Sequence, residues 1–297
     1  MRAALVALLV LCAGAAAGCG SAPDKGTTKT VALKRTMAPA QTLGLRVGVV
    51  GRLDLRPVAG ASIVRVGALA TMPAYPLVVV SSRAASIASV EAVARRYPTS
   101  HYVYVGGSTK GYHRPNLVGL VLNDAQSAQL GGIVAGLFAA EQGGRAARVA
   151  WVGPEDRELT AAFAHGARAM RPGTIVLRTA SSDLPAACKE AALGAIARGA
   201  VAVMAHQGLC AEAAIAGAHQ QNRVGLQVSD FELTGVPIGV VIADAVAGVY
   251  RGGEDIVFGA STGAIGVRHL DPRISADIGV RARAAAQQLS SGLRASG

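Results

Sequence analysis

The chain is poor in aromatic side chains, with one Trp, six Tyr and four Phe among 297 residues. A surface that stacks nucleic-acid bases interleaves aromatics with basic residues, and no stretch here has that composition. Acidic residues are scarce too: 18 stand against 29 Lys and Arg, for a formal net charge of +11. The basic residues are mostly single arginines, without a run of several together. Scattered positive charge reads as attraction to anionic surface polymers and lipids, so nucleic-acid binding is set aside. Cysteine occurs only at Cys12, Cys19, Cys188 and Cys210. His206 with Cys188 and Cys210 lacks a fourth zinc ligand, and neither a metal nor another cofactor is expected. Beyond the N-terminal segment no long apolar run occurs, so no other stretch is read as spanning a bilayer.

What is present begins with MRAALVALLVLCAGAAAGCGSAPDKG. Arg2 precedes an apolar run from Ala3 to Ala13, followed by Ala16-Ala17-Gly18-Cys19. The run falls short of the roughly 20 residues a membrane span needs and has the layout of a secretory signal. A cysteine directly after small residues resembles a bacterial lipoprotein signal, with Ala16 where leucine is usual. That resemblance implies cleavage before Cys19, diacylation of its thiol, and attachment to the outer face of the bacterial cell membrane. The alternative is an ordinary signal peptide cut after an Ala-x-Ala-like site. Residues 1–18 are thus read as leader, and 19–43 as lipidated cysteine and flexible linker, rich in Thr, Lys, Pro, Ala and Gly. Cys12 leaves with the leader. Cys188 and Cys210 remain, and two thiols in an oxidising compartment suggest one disulfide.

From Leu45 onward, short β-branched runs alternate with Ala-rich helical stretches. Strands are expected at Arg46–Val50, Ile63–Gly67, Leu77–Val80, Tyr102–Gly106, Leu117–Leu122, Arg148–Val152, Ile175–Thr179, Val201–Ala205 and Val224–Val228. Helices are expected at Ala84–Arg96, Asp124–Gln142, Glu158–Met170, Pro185–Arg198, Ala211–Gln221 and Ile238–Tyr250. Near-continuous apolar strands separated by helices make an α/β protein with parallel sheets covered on both faces. Asp255–Phe258 and Ala264–Val267 flank Gly259–Gly263 and read as a hairpin, and an amphipathic helix closes the chain from about Ser275 to Leu289. Asp124 is the expected cap of its helix, whose Gly131, Gly132 and Gly136 predict close packing against another backbone. The helices after Ile175–Thr179 and Val201–Ala205 start at one sheet edge. If those strands are neighbours, Cys188 and Cys210 come within bonding distance.

The order of elements resembles the type I periplasmic binding proteins, which have two Rossmann-like lobes. More narrowly, it resembles the basic membrane protein family of ABC-transporter substrate-binding lipoproteins. The segments that carry this are VEAVARRYP followed by HYVYVGG, NLVGLVLNDAQSAQLGGIVAG, VAWVGPEDRELTAAFAHG, ASSD at Ala180–Asp183, VAVMAHQG, and Ser229-Asp230. The resemblance implies a first lobe of residues 44–122 plus about 238–297, and a second of 123–237. It implies capture of a small polar, nucleoside-like ligand for an ABC permease, with no covalent chemistry. The departures are specific. Gly51–Ala61, GRLDLRPVAGA, is too short for the family's first crossover helix, so the first lobe is abbreviated. FELTGVPIG lacks the family's lysine after the acidic pair. A degenerate member acting as a surface sensor or interaction protein, without transport, is the alternative.

In open parallel sheets, ligands bind beyond the carboxyl ends of the strands. That edge selects Ser81, Ser82, Arg83, Gly106, Gly107 and Ser108 in the first lobe. In the second it selects Ser182 and Asp183, then His206, Gln207 and Gly208, then Ser229, Asp230 and Phe231. The binding set expected is Ser81, Ser82, Gly107, Ser182, Asp183, His206, Gln207, Asp230 and Phe231. Carboxylates would accept hydroxyl hydrogen bonds, Gln207 would read a base edge or amide, and Phe231 would stack on a ring. For any single Ser or Asp, plain helix capping is the simpler role. Enzyme-like patterns do not persuade. Gly259–Gly263, GASTG, lacks the strand-turn-helix setting of a nucleophile elbow for Ser261, and GGSTK lacks the spacing of a phosphate loop.

Overall fold

A computed structural model describes residues 44–69, 75–142, 147–153, 155–180 and 184–291. Cys19 and the leader, and Ser182 and Asp183, lie outside the described residues. Six strands form the first sheet: β1 (Leu45–Val50), β2 (Ala61–Val66), β3 (Leu77–Ser81), β4 (His101–Val105), β5 (Leu117–Leu122) and β10 (Ile256–Phe258). Their order is β10-β5-β4-β3-β1-β2, and every pairing is parallel.

The parallel pair β1–β2 runs in register from Leu45↔Ala61 to Val50↔Val66, with only residues 51–60 between. Returning along a six-residue strand takes about 20 Å. Ten extended residues reach roughly 33 Å, so the chain returns without a helix, as the short connection predicts. The face such a helix would cover is taken by α6 (Gly235–Val246). Its Ile238, Val241, Ile242 and Ala245 pack on Val47, Val49, Leu77 and Val79, with Leu53, Leu55 and Val58 of the connection at the margin. On the opposite face, Val90 and Ala94 of α1 (Ile87–Arg96) pack on Val78, Val80 and Tyr102.

The second sheet contains β6 (Arg148–Gly153), β7 (Ile175–Ala180), β8 (Ala200–Ala205) and β9 (Val224–Gln227), in the order β7-β6-β8-β9 and again all parallel. One face carries α4 (Pro185–Ala197) and α5 (Gly208–Gln220), whose small residues Ala192, Ala195, Ala211 and Ala214 lie on Ala150, Val152, Val203 and Ala205. The other face carries α2 (Asp124–Glu141), α3 (Arg157–Met170) and α7 (Ala276–Ser290), around Trp151, Phe163, Met204 and Phe231. Each large side chain fully buried there contributes about 1.5–3 kcal/mol.

Local chemistry sets the helix starts. Asn123 rather than Asp124 caps α2, its Oδ1 accepting from Gln126 N at 3.1 Å. Asp156 caps α3 through Leu159 N at 3.0 Å, and Pro185 stands in the first turn of α4. The α2 glycines mark close approach: a Cβ on Gly132 would lie 2.1 Å from Phe163 O, and one on Gly136 would lie 2.4 Å from Ala167 O.

Cys188 and Cys210 are joined by a disulfide, with Cα atoms 5.3 Å apart. The reason differs from the sequence argument. β7 and β8 are not neighbours, because β6 lies between them. The bond forms because α4 and α5 pack against each other on one face. Two further expectations are corrected. The hairpin is absent: β10 joins the first sheet beside β5, and Ala260–Thr262 forms a 3-10 turn. Ile265 makes an isolated bridge to Glu232 instead. The last helix, assigned by sequence to the first lobe, packs on α2 through Ile278, Ala282, Ala285 and Ala286.

Candidate functional site

The carboxyl ends of β1, β3, β4 and β5 face the second sheet's loops across a cleft of about 400 Å³. That volume falls in the usual range of small-molecule sites. β1 delivers Arg52, Leu53 and Asp54 through Gly51, whose φ of +91° turns the chain sharply outward. A Cβ there would lie 2.7 Å from Ala84 Cβ, so the position also needs glycine for close approach. β2 contributes Arg65, whose guanidinium donates to Leu53 O at 3.5 Å. β3 ends in Ser81, with Ser82 and Arg83 following, and Val105, Gly106 and Leu122 complete the first-lobe wall. Gln207, Ser229, Glu232, Thr234 and Arg268 form the facing wall.

Of the residues expected from sequence, Ser81, Ser82 and Gln207 line this cleft. Ser81 is also a turn residue, its Oγ accepting from Arg83 N at 3.3 Å. Ser182 and Asp183 are outside the described residues, and the other described ones do not line the cleft. Gly107 is folded against Tyr104, where a Cβ would lie 2.4 Å from the ring, and it is not part of the cleft wall. Ser108 and Thr109 bind the Asp255 carboxylate, which draws the loop after β4 aside. His206 stands behind Gln207, 3.8 Å from Asp124 Oδ2. Asp230 has the capping role: it accepts from Gln227 N at 2.9 Å, and its carbonyl accepts from Arg268 N at 2.8 Å. Phe231 is fully buried and packs with Met204 in the second lobe's core, so it presents no ring to a ligand. Phe163 is core, as expected. Cys188 and Cys210, bonded to each other, are not metal ligands.

Sequence reasoning missed Arg52, Leu53, Asp54, Arg65, Glu232, Thr234 and Arg268. The rule that selected Ser81 also selects Arg52 and Asp54, which follow β1 directly; the shortness of that loop drew attention away from its residues. Glu232 and Thr234 carried no such signal, because their place depends on how the chain crosses between lobes.

The cleft is electropositive. Arg52, Arg65, Arg83 and Arg268 line it, against the carboxyl groups of Asp54 and Glu232. Arg268 and Asp54 approach at 3.8 Å, both well exposed, which is a weak, solvent-screened pairing. Glu232 is 7 % exposed. Burial, then the nearby Asp124 carboxylate, pushes its carboxyl up to about 7, against the pull of Arg83 and His206. Holding its own proton spares Glu232 a negative charge beside the Asp124 carboxylate. The arrangement offers fixed positive charge, several hydroxyls and one amide. None of the lining side chains is aromatic.

No protein-family model matches this sequence, and neither does any curated protein sequence. Solved structures do match. An ABC transporter solute-binding protein from Aeropyrum pernix superimposes with a TM-score of 0.54 at 18% identity, over 84% of this chain and 92% of that one. A solute-binding protein from Conexibacter woesei gives 0.56 at 18% identity, over 84% and 97%. A transcriptional activator of the comK gene from Bacillus halodurans gives 0.57 at 12% identity, over 74% and 80%. At these identities the likeness is one of fold. The chain has the α/β architecture of type I periplasmic binding proteins, two Rossmann-like lobes with parallel sheets.

Proposed function

We propose that this chain is an exported solute-binding protein that captures a small polar molecule between its lobes and presents it to an ABC permease. The carrying observation is the cleft: about 400 Å³ at the carboxyl edges of both sheets, with polar side chains from both walls. Solute-binding proteins of the same fold support the reading. Capture requires no bond to be made or broken; ligand contacts to both walls favour a closed arrangement over an open one. The resemblance of the first residues to a lipoprotein signal adds an anchor at Cys19, which would hold the protein beside its permease. Kinship with the basic membrane protein family rests on the quoted segments, and a nucleoside ligand rests on that resemblance alone. The arginine-rich, non-aromatic wall does not favour a nucleoside.

A thermal-shift screen of the purified protein against sugars, nucleosides, amino acids and their charged derivatives tests the reading. A saturable rise in melting temperature with at least one class is expected, and silence across all classes would overturn it. The anchor has its own test. Fatty-acid labelling in the bacterial cell should mark the parent and not Cys19→Ala; equal labelling removes the lipoprotein from the proposal.

A further inference from the structure

We infer, resting on the solute-binding reading, that the cleft takes a hydroxyl-bearing carboxylate or phosphate, such as a sugar acid or sugar phosphate. Arg52, Arg65 and Arg83 hold the anionic group from one wall, and Arg268 holds it from the other. All four guanidinium groups belong to residues lining one cavity. Arg52 and Arg83 make no ion pair among the described residues, and the one ion pair of the Arg268 guanidinium among them is the long, exposed contact to Asp54, with the Asp230 carboxylate farther off. Closing the lobes on a neutral solute would take four cations out of water with only the carboxyl groups of Asp54 and Glu232 in the lining to offset them. An anion compensates them, and guanidinium meets carboxylate or phosphate in paired hydrogen bonds.

The remaining lining groups specify the rest of the ligand. Ser82, Ser229 and Thr234 carry hydroxyls, and Gln207 offers both an acceptor and donors. They suit a molecule with several hydroxyl groups. Gln207 is also the N-cap of α5, and no side chain caps that helix. The positive end of α5 therefore adds to the field at the same wall. Glu232 is the one buried carboxyl in the lining; Asp124 from α2, Arg83 from the first lobe and His206 after β8 face it. An acid that holds its proton does not oppose an anion beside it.

The test uses the full chain in low-salt buffer, with calorimetry and melting curves. The probes are glucuronate, a hexose phosphate, inorganic phosphate, glucose and adenosine. Glucuronate or the hexose phosphate should bind at least about ten-fold more tightly than glucose or adenosine. The better of the two identifies the carboxylate or the phosphate as the preferred anion, and inorganic phosphate measures the anion alone. Arg83→Ala and Arg268→Ala should each weaken the sugar anion about ten-fold or more. Arg281→Ala, on the exposed face of α7, should not. The inference falls if glucose or adenosine binds as well as the anions, or if the two arginine variants bind like the parent. In both cases the solute-binding reading stands. If none of the five probes binds, the anion inference falls, and the wider screen decides whether capture falls with it.

Discussion

Two buried carboxyl groups in this protein have opposite electrostatic settings. The Asp271 side chain is fully buried, yet it accepts from Gly225 N at 3.0 Å, Arg273 N at 2.9 Å, Arg273 Nη1 at 3.2 Å and His219 Nε2 at 2.7 Å. Burial raises its pKa, but those bonds outweigh burial and hold it below the usual carboxylate range. Its stabilisation is therefore complete above the ordinary value of 3.8 and is lost as pH falls through the depressed folded value. Asp271→Asn should cost about 3 kcal/mol in denaturant unfolding at neutral pH, with a difference that shrinks in acid. A constant difference across that range would remove the electrostatic explanation. Glu232 has the reverse sign. The folded state holds its proton between the ordinary value of 4.5 and about 7, so charging it costs stability as pH rises through that window. Glu232→Gln should gain on the order of 2–3 kcal/mol relative to the parent between pH about 5 and 8. In the same window the parent should lose affinity for an anionic ligand and the variant should not. Flat titrations of both proteins would count against a raised Glu232 pKa.

At the scale of elements, the glycines of α2 determine how closely two helices meet. A Cβ on Gly132 would face the Phe163 carbonyl, which is backbone and cannot rotate away. Gly132→Ala should force α2 and α3 apart and cost about 2–3 kcal/mol by thermal denaturation. Gly194 in α4 has open space around its missing Cβ. Gly194→Ala should instead stabilise by about 0.5–1 kcal/mol. If both substitutions act alike, helix propensity alone explains them. The α2 packing was legible because three glycines within an apolar helix have few other uses. The central strands before residue 228 were legible for a similar reason: a strand buried on both faces is apolar at nearly every position, and Val78–Val79–Val80 and Ala202–Val203–Met204 are such runs. The strand β10 was placed correctly, but its pairing was misread, because its partner β5 lies far away in sequence. The disulfide was found by a partly mistaken route, since helix packing rather than strand adjacency brings the cysteines together. The cleft was half legible. Serines after strands announce themselves by position. Arg65 lies inside a strand and Arg268 in an irregular segment, so neither fits the rule.

At the scale of the whole molecule, function depends on whether the two sheets move as units. Three stretches connect them: the step from β5 into α2, the segment from β9 to α6, and the segment from β10 to α7. They are bonded to one another rather than crossing independently. Asn123 N donates to Phe258 O at 2.9 Å, and Ala260 N to Gln126 Oε1 at 2.7 Å. Leu233 N donates to Ala264 O at 2.8 Å, and Gly266 N to Phe231 O at 2.9 Å. A joined ribbon of this kind bends as one hinge, while each sheet, covered on both faces, resists deformation. The arginines of the two cleft walls repel across water, the weak Arg268–Asp54 contact aside, and are drawn together by an anion between them. Ligand should therefore compact the protein without changing its secondary structure. Small-angle X-ray scattering should show a smaller radius of gyration on saturation with the sugar anion, with an unchanged far-ultraviolet circular dichroism spectrum. Arg268→Ala should remain expanded at a ligand concentration that closes the parent, because its wall has lost the charge that reaches across. If the radius does not change while binding is saturated, the hinge reading fails and the cleft acts as a fixed receptor.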